Sequence, residues 1–272
     1  MACDACGSQT TWPMPTDAEL DRAYASWYRP EGGRFSGAGD RLLRALRGRL
    51  AERLDRISPP GLVLDVGSGD GALLDALAAR GRTAIGLERE ATRADVCAAE
   101  LPEFDQACAA VVFWHSLEHL REAGGAVEHA IGLLEPQGSL VIAIPNPASA
   151  QAWLFGDRWL ALDLPRHLVH VPATALISRL QALGMRIERT SYLRGGQVVF
   201  GWLHGLVGTL PGRPDLYDAI RRPEARRQPI SAGRRLAVLA AAALALPLAA
   251  ALALGEAALR CGGTVYVEAR RV

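Results

Sequence analysis

One short run of glycines constrains the fold of this chain more than any other feature. Residues 63–71 read VLDVGSGDG, an apolar strand pattern followed by three glycines at alternate positions. Glycine is favoured where a chain turns tightly with positive φ or passes close to a ligand. An apolar helical pattern follows at residues 72–80. The run therefore predicts a strand, a tight turn and a helix whose first N–H groups face that turn.

Short strand patterns and helix patterns alternate through the middle of the chain. Strands alternating with helices are typical of a mainly parallel sheet with helices on both faces. We therefore predict an α/β fold. The predicted strands lie at 62–66, 82–87, 95–98, 109–114, 139–144, 185–192 and 262–271, and the predicted helices at 17–57, 72–80, 121–134 and 172–183.

Composition excludes several classes of protein. Apolar residues make up 50% of the 272 residues, which excludes intrinsic disorder, and a net charge of +1 argues against a nucleic-acid partner. The five cysteines are too few and too scattered for a disulfide framework, and the N-terminal residues lack the pattern of a signal peptide. Cys3 and Cys6 form a single CxxC, but structural zinc needs four ligands and the sequence has no second CxxC, so we expect a relic tail rather than a zinc site. We expect a cytoplasmic protein.

Acidic side chains surround the glycine run. Asp65 precedes the turn, Asp70 lies within it, and Glu88 ends the next strand, where a carboxylate can accept hydrogen bonds from both hydroxyls of a ribose. The glycine spacing also fits the dinucleotide pattern GxGxxG/A, so an NAD-dependent oxidoreductase is an alternative, as is a turn that binds no ligand. Carboxylates would repel a pyrophosphate, whereas they would attract the ammonium and sulfonium of S-adenosylmethionine.

Several motifs together resemble one enzyme family. LDVGSGDGALLDALAARGRTAIGLE resembles motif I and the second-strand acid of class I S-adenosylmethionine-dependent methyltransferases, and AAVVFWHSLEHL and LLEPQGSLVIAIPNP resemble their fourth and fifth strands. FGDRWLALDLPRHLVHVPATALISRLQALGMRI resembles the ubiquinone-methyltransferase-like branch. The resemblance covers about residues 58–195 and the last strand. It implies a Rossmann-like sheet and methyl transfer to a small-molecule or lipid-linked acceptor, with O-methylation favoured. A non-catalytic, cofactor-binding protein is a further alternative.

The same resemblance implies roles for individual residues. Trp114 and His115 would flank the sulfonium. Only about seven residues separate Glu88 from the next strand, so the helix usual at that point is expected to be short or missing. The cofactor loop would comprise Asp65, Gly67, Ser68, Gly69, Asp70 and Gly71, and the ribose and adenine side would comprise Glu88, Arg89, Glu100 and Leu101.

Histidines and one glutamate follow the strand at 109–114. His115, Glu118 and His119 would share one face if the chain there turns into a helix, and His167 and His170 come later. Three interpretations stay open: local packing at a helix start, a general base, or a divalent metal site. We take His115 and His167 as the candidate catalytic bases and assign no metal ligands.

Aromatic residues precede the predicted core. They predict a helical cap that closes over the acceptor, or ordinary packing of a helix on the sheet. These residues are Tyr24, Trp27, Tyr28 and Phe35.

An uncharged stretch of nineteen residues, ten of them alanine, lies at 236–254. Its length suffices for a membrane span, but Pro247 interrupts it, and a last strand in the same sheet would place both of its ends on one side. Six arginines at 221–235 suit contact with an anionic membrane surface; packing within the protein or in a dimer is the alternative. We expect residues 197–258 to contact the membrane surface, so that the protein is peripheral at the inner face of the membrane. The predicted divisions are a tail and helical cap (1–57), a core (58–195), an apolar helical insertion (196–260) and the final strand (261–272).

Overall fold

The computed structural model describes residues 1–24, 35, 37–90, 93–193 and 196–271. Trp27 and Tyr28, two of the expected cap residues, lie outside them. The strands are β1 (Gln9–Thr10), β2 (Val63–Val66), β3 (Ala84–Glu88), β4 (Val96–Ala98), β5 (Cys108–Trp114), β6 (Leu134–Pro145), β7 (Val169–His170), β8 (Met185–Ser191) and β9 (Thr264–Arg271). The helices are α1 (Asp17–Ala23), α2 (Ala38–Ile57), α3 (Ala72–Ala78), α4 (Ala123–Leu133), α5 (Ala150–Phe155), α6 (Ala173–Ala182), α7 (Gln197–Gly208), α8 (Leu216–Ile220) and α9 (Ala232–Ala258).

Seven strands form one sheet in the order β4-β3-β2-β5-β6-β9-β8. Neighbours from β4 to β6 are parallel, whereas β9 runs antiparallel between β6 and β8. This arrangement confirms the predicted α/β fold and places the last strand in the same sheet. Val66 lies level with Leu87 and Phe113, so β2, β3 and β5 end at the same edge. Ligands of such sheets bind beyond the carboxyl ends of the strands.

Strand β5 shows why this sheet is covered on both faces. Val111 and Phe113 belong to the core cluster that includes α4 and α6, and Ala110 and Val112 belong to the cluster that includes α2 and α3. Successive side chains of a strand point to opposite faces, so an uninterrupted apolar run requires apolar partners on both sides. The helices on the two faces supply them.

Some boundaries differ from the sequence prediction. The helix expected at 17–57 is two helices, α1 and α2, and its leucine repeat contacts the core only in the second half of α2: Leu42 and Leu43 are exposed, whereas Leu50 and Leu54 are buried. Strand β6 begins at Leu134, five residues before the predicted start at Ser139. The residues described between Glu88 and Val96 form no helix, as expected from their small number.

The N-terminal residues lie beside the carboxyl end of the sheet. Strand β1 pairs with β7, and the Thr11 hydroxyl donates to the His167 carbonyl oxygen at 2.8 Å. Cys3 and Cys6 are exposed in the turn that precedes β1. The tail therefore supports the segment that carries His167.

The segment of the chain that connects β8 to β9 forms helices α7, α8 and α9, which pack against one another. One face of α9, with Val238, Ala242, Ala249 and Ala253, is buried at helical spacing against its neighbours. Among the described helices α9 alone is long and apolar enough to cross a membrane by length and composition. A single crossing would separate β9 from the rest of its sheet, so this fold excludes one.

Candidate functional site

The glycine run forms the turn between β2 and α3. Gly67, Gly69 and Gly71 have φ values of 77°, 64° and 74°, a region that disfavours side chains with a Cβ. A Cβ on Gly67 would lie 2.5 Å from the Cβ of Ser116. The loop therefore lies directly against the residues that follow β5, and only glycine fits there.

Two amide groups of this loop already bind carboxylates. The Gly69 N–H donates to Glu88 Oε2 at 2.8 Å, and the Ala72 N–H donates to Asp70 Oδ1 at 3.2 Å. In a dinucleotide site such amides would face the pyrophosphate. Here they are taken by acidic side chains, so the loop presents negative charge to a ligand. This arrangement disfavours the NAD alternative.

Asp65 adds a third carboxyl group behind the loop. It is buried at the end of β2, and burial, followed by the nearby charges of Glu88 and Asp70, raises its pKa to about 7 against the lowering effect of Arg47. Like charges and low solvation both oppose ionisation. A ligand with positive charge would relieve both, so the three carboxyl groups fit the ammonium and sulfonium of S-adenosylmethionine.

The residues expected on the ribose and adenine side lie in different environments. Glu88 ends β3, and the Arg89 guanidinium carbon lies 5.1 Å from the centre of the Tyr24 ring. Glu100 is exposed and precedes a short 3₁₀ turn, whereas the side chain of Leu101 is buried in the core.

Two further cofactor candidates pack toward the interior. The Trp114 ring lies 6.0 Å from the Tyr266 ring, with the Arg47 guanidinium carbon 4.9 Å above it. Ser68 is buried against Gly86 of β3, where an added Cβ would lie 2.4 Å from the serine hydroxyl oxygen. Ser68 thus helps to fix the turn against the sheet, whereas Trp114 packs between β9 and α2.

His115 and Glu118 follow β5 at the same edge of the sheet. His115 has a φ of 54°, uncommon for a residue with a Cβ, and its Nδ1 lies 3.3 Å from Glu118 Oε1. Glu118 is 3% exposed, and neither its carboxylate oxygens nor Nε2 of His115 has a hydrogen-bond partner among the described residues. Backbone strain and unpaired buried polar atoms both occur preferentially at functional sites.

His119 and His167 surround the same carboxylate. Their ring centres are 4.7 Å apart; Nδ1 of His119 lies 3.0 Å from the Arg166 carbonyl oxygen, and Nδ1 of His167 lies 2.8 Å from that of Ala161. Burial, with a contribution from His167, lowers the pKa of His119 to about 4, and burial also lowers that of His167. Both imidazoles are therefore neutral near pH 7.

Glu118 itself stays ionised. Burial alone would raise its pKa, but the positive charge that His115, His167 and His119 carry when protonated outweighs that effect and lowers the pKa to about 2. Ligand atoms of Glu118, His119 and His167 all lie within 4.8 Å of one another, the one group in the described part of the chain with this geometry for a metal ion. The arrangement can accept a proton or hold a cation.

The chain at residues 115–119 does not form the α-helix on which a shared face of His115, Glu118 and His119 depended. Residues 117–119 form a 3₁₀ turn, and α4 begins only at Ala123. His115 and Glu118 meet nevertheless, because the positive φ of His115 turns the chain sharply at the end of β5. His170 lies farther away, with its ring centre 6.3 Å from that of His167.

Sequence reasoning missed several contacts of this cluster. The Tyr24 hydroxyl lies 2.8 Å from Nδ1 of His119, and Asp163 Oδ2 lies 3.7 Å from Nε2 of His167. Tyr24 was expected only as part of an aromatic cap. Phe35, expected in the same cap, lies 6.1 Å from the Tyr217 ring of α8. No local spacing links Tyr24 with His119 or Phe35 with Tyr217, whereas Asp163 and His167 are four residues apart, a spacing that could have indicated their contact.

Residues 39–190, more than half of the chain, match the family model described as "Methyltransferase domain". The chain belongs to this family. The membership confirms the expected enzyme class, an S-adenosylmethionine-dependent methyltransferase. No curated protein matches the sequence.

Solved methyltransferase structures share the fold. A SAM-dependent methyltransferase from Archaeoglobus fulgidus is 17% identical, with a TM-score of 0.50 over 84% of this chain and 94% of that one. A 1,6-didemethyltoxoflavin N1-methyltransferase from Burkholderia thailandensis is 12% identical, with a TM-score of 0.50 over 99% and 97%. A mycolic acid cyclopropane synthase is 15% identical, with a TM-score of 0.50 over 84% of each chain.

Proposed function

We propose that this methyltransferase transfers the methyl group of S-adenosylmethionine to an oxygen of a small-molecule or lipid-linked acceptor. The observation that carries the proposal is the contact between half-buried His115 and buried Glu118, which have unpaired polar atoms and lie on either side of Ser116, the residue that packs against Gly67 of the glycine loop. The run from Phe155 to Ile187 resembles the ubiquinone-methyltransferase-like branch and favours a quinone-like phenol or a sugar as acceptor. Other members of this fold methylate nitrogen or make cyclopropanes, so the acceptor atom needs its own test.

The proposed cofactor residues act through charge and shape. Asp65 and the glycine loop would hold the methionine moiety, Glu88 the ribose, and Arg89, Glu100 and Leu101 the adenine. Trp114 would support the sulfonium side. The loop residues that would hold the methionine moiety together with Asp65 are Gly67, Ser68, Gly69, Asp70 and Gly71. When bound, S-adenosylmethionine supplies an electrophilic methyl group.

His115 is the proposed general base. Its Nε2 would accept the proton of the acceptor hydroxyl as the oxygen attacks the methyl carbon, and Glu118 would stabilise the imidazolium through Nδ1 at 3.3 Å. His167 is the other candidate base; its low exposure and neutral ring favour a role in holding Glu118 in place. Much of the remaining rate enhancement would come from the relative position of the two substrates.

A divalent metal ion is the second candidate mechanism for the same cluster. Nδ1 of both His119 and His167 faces a backbone carbonyl oxygen, and Nε2 of His167 lies 3.9 Å from Glu118 Oε1; such outer contacts are typical of histidine ligands. An ion held by Glu118, His119 and His167 would orient neighbouring hydroxyls of an acceptor and lower the pKa of one of them.

We propose the same division of the chain as the sequence predicts: a cap up to residue 57, a core up to residue 195, an insertion up to residue 260 and a final strand. The contact between Tyr24 and His119 supports a cap near the acceptor, and the packing of α7 and α9 on one another supports an insertion. We place the enzyme in the cytoplasm, at the inner face of the membrane, where a lipid-linked acceptor would be present.

Binding and transfer are tested separately. Calorimetry should detect S-adenosylmethionine binding and no NAD binding. With cofactor labelled at the methyl group, incubation with phenols, sugars and lipid-linked phenols should yield a labelled product whose ether linkage is identified by mass spectrometry. Binding without transfer to any acceptor would support the non-catalytic alternative, and NAD binding alone would support the oxidoreductase.

The two mechanisms are separated by variants and a chelator. If His115 is the base, H115A should lower kcat about a hundredfold or more with little change in cofactor affinity, and a chelator should have no effect. His129→Ala is the matched control, because His129 lies on α4 outside the cluster. Loss of activity with a chelator, restored by added divalent ions, would contradict the base mechanism in favour of the metal.

A further inference from the structure

The outward face of α9 is more apolar than a helix face that is exposed to water normally is. A helix on the surface of a soluble protein normally exposes polar side chains opposite its buried stripe. Residues 236–255 of α9 contain only Ala, Leu, Val, Pro and Gly, and 22% of the most apolar window is buried. About five turns of apolar surface are therefore exposed along one side of the protein.

Large side chains dominate this surface. Leu244 is 85% exposed, and Trp153, on the neighbouring helix α5, is also 85% exposed. Tryptophan favours the interface between water and a bilayer, where its ring is apolar and its N–H remains hydrated. The other exposed leucines of the two helices and of the turn after α9 are Leu154, Leu236, Leu246, Leu248, Leu254 and Leu259.

Positive charge lies at both ends of the apolar face. Arg234 and Arg235 precede it and donate to the backbone carbonyl oxygens of Gly212 and Ala219, which leaves their charge uncompensated by these contacts. Arg260 follows its carboxyl end. An apolar strip between arginines complements a bilayer whose headgroups are anionic.

The same charges disfavour a second copy of this chain as the partner. Two α9 helices related by a two-fold axis would be parallel or antiparallel. In the parallel case Arg234 and Arg235 would face their own copies, and in the antiparallel case they would face Arg260 of the other copy. Both arrangements place like charges together, since no acidic residue lies on the exposed strip.

We infer that the outer face of α9, with Trp153 and Leu154 of α5, is a docking surface for an anionic lipid bilayer. The helix would lie in the plane of the headgroups with its leucines inserted and its arginines on phosphates, while its other face stays packed on the protein. This inference deepens the proposed function, because it names the surface that would bring the enzyme to a lipid-linked acceptor.

A continuous apolar contact joins this surface to the candidate site. Ala249 and Ala253 of α9 belong to the same cluster as Phe155 and Trp159, with Ala161 packed against it. The Ala161 carbonyl oxygen lies 2.8 Å from Nδ1 of His167. The segment that carries part of the histidine cluster therefore packs against the inward face of α9, opposite the face proposed to contact the bilayer.

Vesicle binding tests the docking surface with the full chain. Co-sedimentation with phosphatidylcholine vesicles that contain phosphatidylglycerol should capture the protein, and vesicles of phosphatidylcholine alone should capture much less. L244Q combined with L248Q should weaken partitioning at least about tenfold. L42Q combined with L43Q is the matched control, because these leucines are exposed on α2, which is not part of the proposed docking surface.

Charge variants separate the electrostatic part. R234Q combined with R235Q should reduce capture by anionic vesicles and leave the weak capture by neutral vesicles unchanged, while R44Q combined with R49Q should have no effect. Equal capture of the L244Q/L248Q variant and the wild type would overturn the proposal. So would a dimer in light scattering that this variant dissociates, without vesicle binding.

Cofactor binding distinguishes this inference from the proposed function. Calorimetry with S-adenosylmethionine should give the same affinity for the wild type and all four double variants, because none of the substituted residues lies in the proposed cofactor site. Vesicle binding without methyl transfer would refute the proposed function alone, and methyl transfer without vesicle binding would refute the docking surface alone.

Discussion

The glycine loop and helix α9 show two different ways in which this sequence determines structure. In the loop, each glycine has a conformation that other residues disfavour, and at Gly67 the Cβ of Ser116 leaves no room for a side chain. In α9, most of twenty-seven residues are alanine or leucine, which form a helix readily but specify no partner. The loop is thus determined by its own residues, whereas the position of α9 depends on a few contacts elsewhere.

Glu256 is the contact on which the position of α9 depends most. It is buried and accepts hydrogen bonds from the Gln151 side chain at 2.9 Å, the Trp202 ring N–H at 2.9 Å and the Gly263 N–H at 3.3 Å. E256A would leave these buried donors unpaired, so we expect a loss of about 3 kcal/mol in the free energy of unfolding. Denaturant unfolding monitored by tryptophan fluorescence measures it.

The matched control for this variant is E224A, at an exposed glutamate of the same insertion. It should change the free energy of unfolding by less than about 0.5 kcal/mol. If E256A were equally mild, α9 would be held by its apolar stripe, and the contrast with the loop would disappear.

The second test concerns the loop and isolates packing from backbone conformation. Gly67 and Gly81 both have positive φ, at 77° and 74°, but a Cβ meets Ser116 at 2.5 Å in the first case and nothing within 4 Å in the second. Both G67A and G81A carry the backbone cost, and G67A adds overpacking of about 2 kcal/mol. G67A should also lower the affinity for S-adenosylmethionine at least about tenfold by displacing the loop.

Denaturant unfolding and calorimetry on the pair give the comparison directly. Equal losses of stability in G67A and G81A would mean that Ser116 moves aside at little cost. Unchanged cofactor affinity in G67A would remove the loop from the proposed site.

Sequence reasoning predicted the fold well because its signals are local. The glycine run predicted the turn after β2, and the apolar run at 109–114 predicted a strand buried on both faces, since each pattern is contained in a few consecutive residues. The position of β9 in the sheet followed from its strand pattern and from the family resemblance. The division of residues 17–57 into two helices could not be predicted in this way, because Leu42 and Leu43 continue the helical pattern without contacting the core.

The histidine cluster was predictable only as a set of candidates. The spacing of three residues grouped His115 with Glu118, whereas His167 lies fifty-two positions after His115 and no local spacing indicated its contact with Glu118. One missed signal was present in the insertion. Gly201 and Gly205 are four residues apart on α7, where an added Cβ would lie 2.2 Å from Gln151 and from Phe155, respectively. Small residues at that spacing indicate close helix packing.

The last test concerns the carboxyl groups that cluster at the loop and are lacking on the exposed face of α9. It uses the pH dependence of cofactor binding. Asp65 has a pKa of about 7 in the folded protein, raised chiefly by burial. A cationic cofactor favours its ionised form, so affinity should rise about tenfold from pH 6 to pH 8, with a proton released on binding at the lower pH. Calorimetry in buffers of different ionisation enthalpy measures both quantities.

D65N should flatten this pH profile, whereas D105N, at an exposed aspartate, should keep it. The free energy of unfolding gives an independent measurement, because the contribution of Asp65 to it falls with rising pH whereas the cofactor affinity rises. Because the folded pKa of Asp65 lies above its unfolded value near 3.8, the folded state binds the proton more tightly and loses stability as pH rises from about 4 to 7. D65N removes that loss, so it should be relatively more stable at pH 8 while binding the cofactor more weakly. A wild-type profile without slope between pH 6 and pH 8 would show that Asp65 does not face the charge of the cofactor.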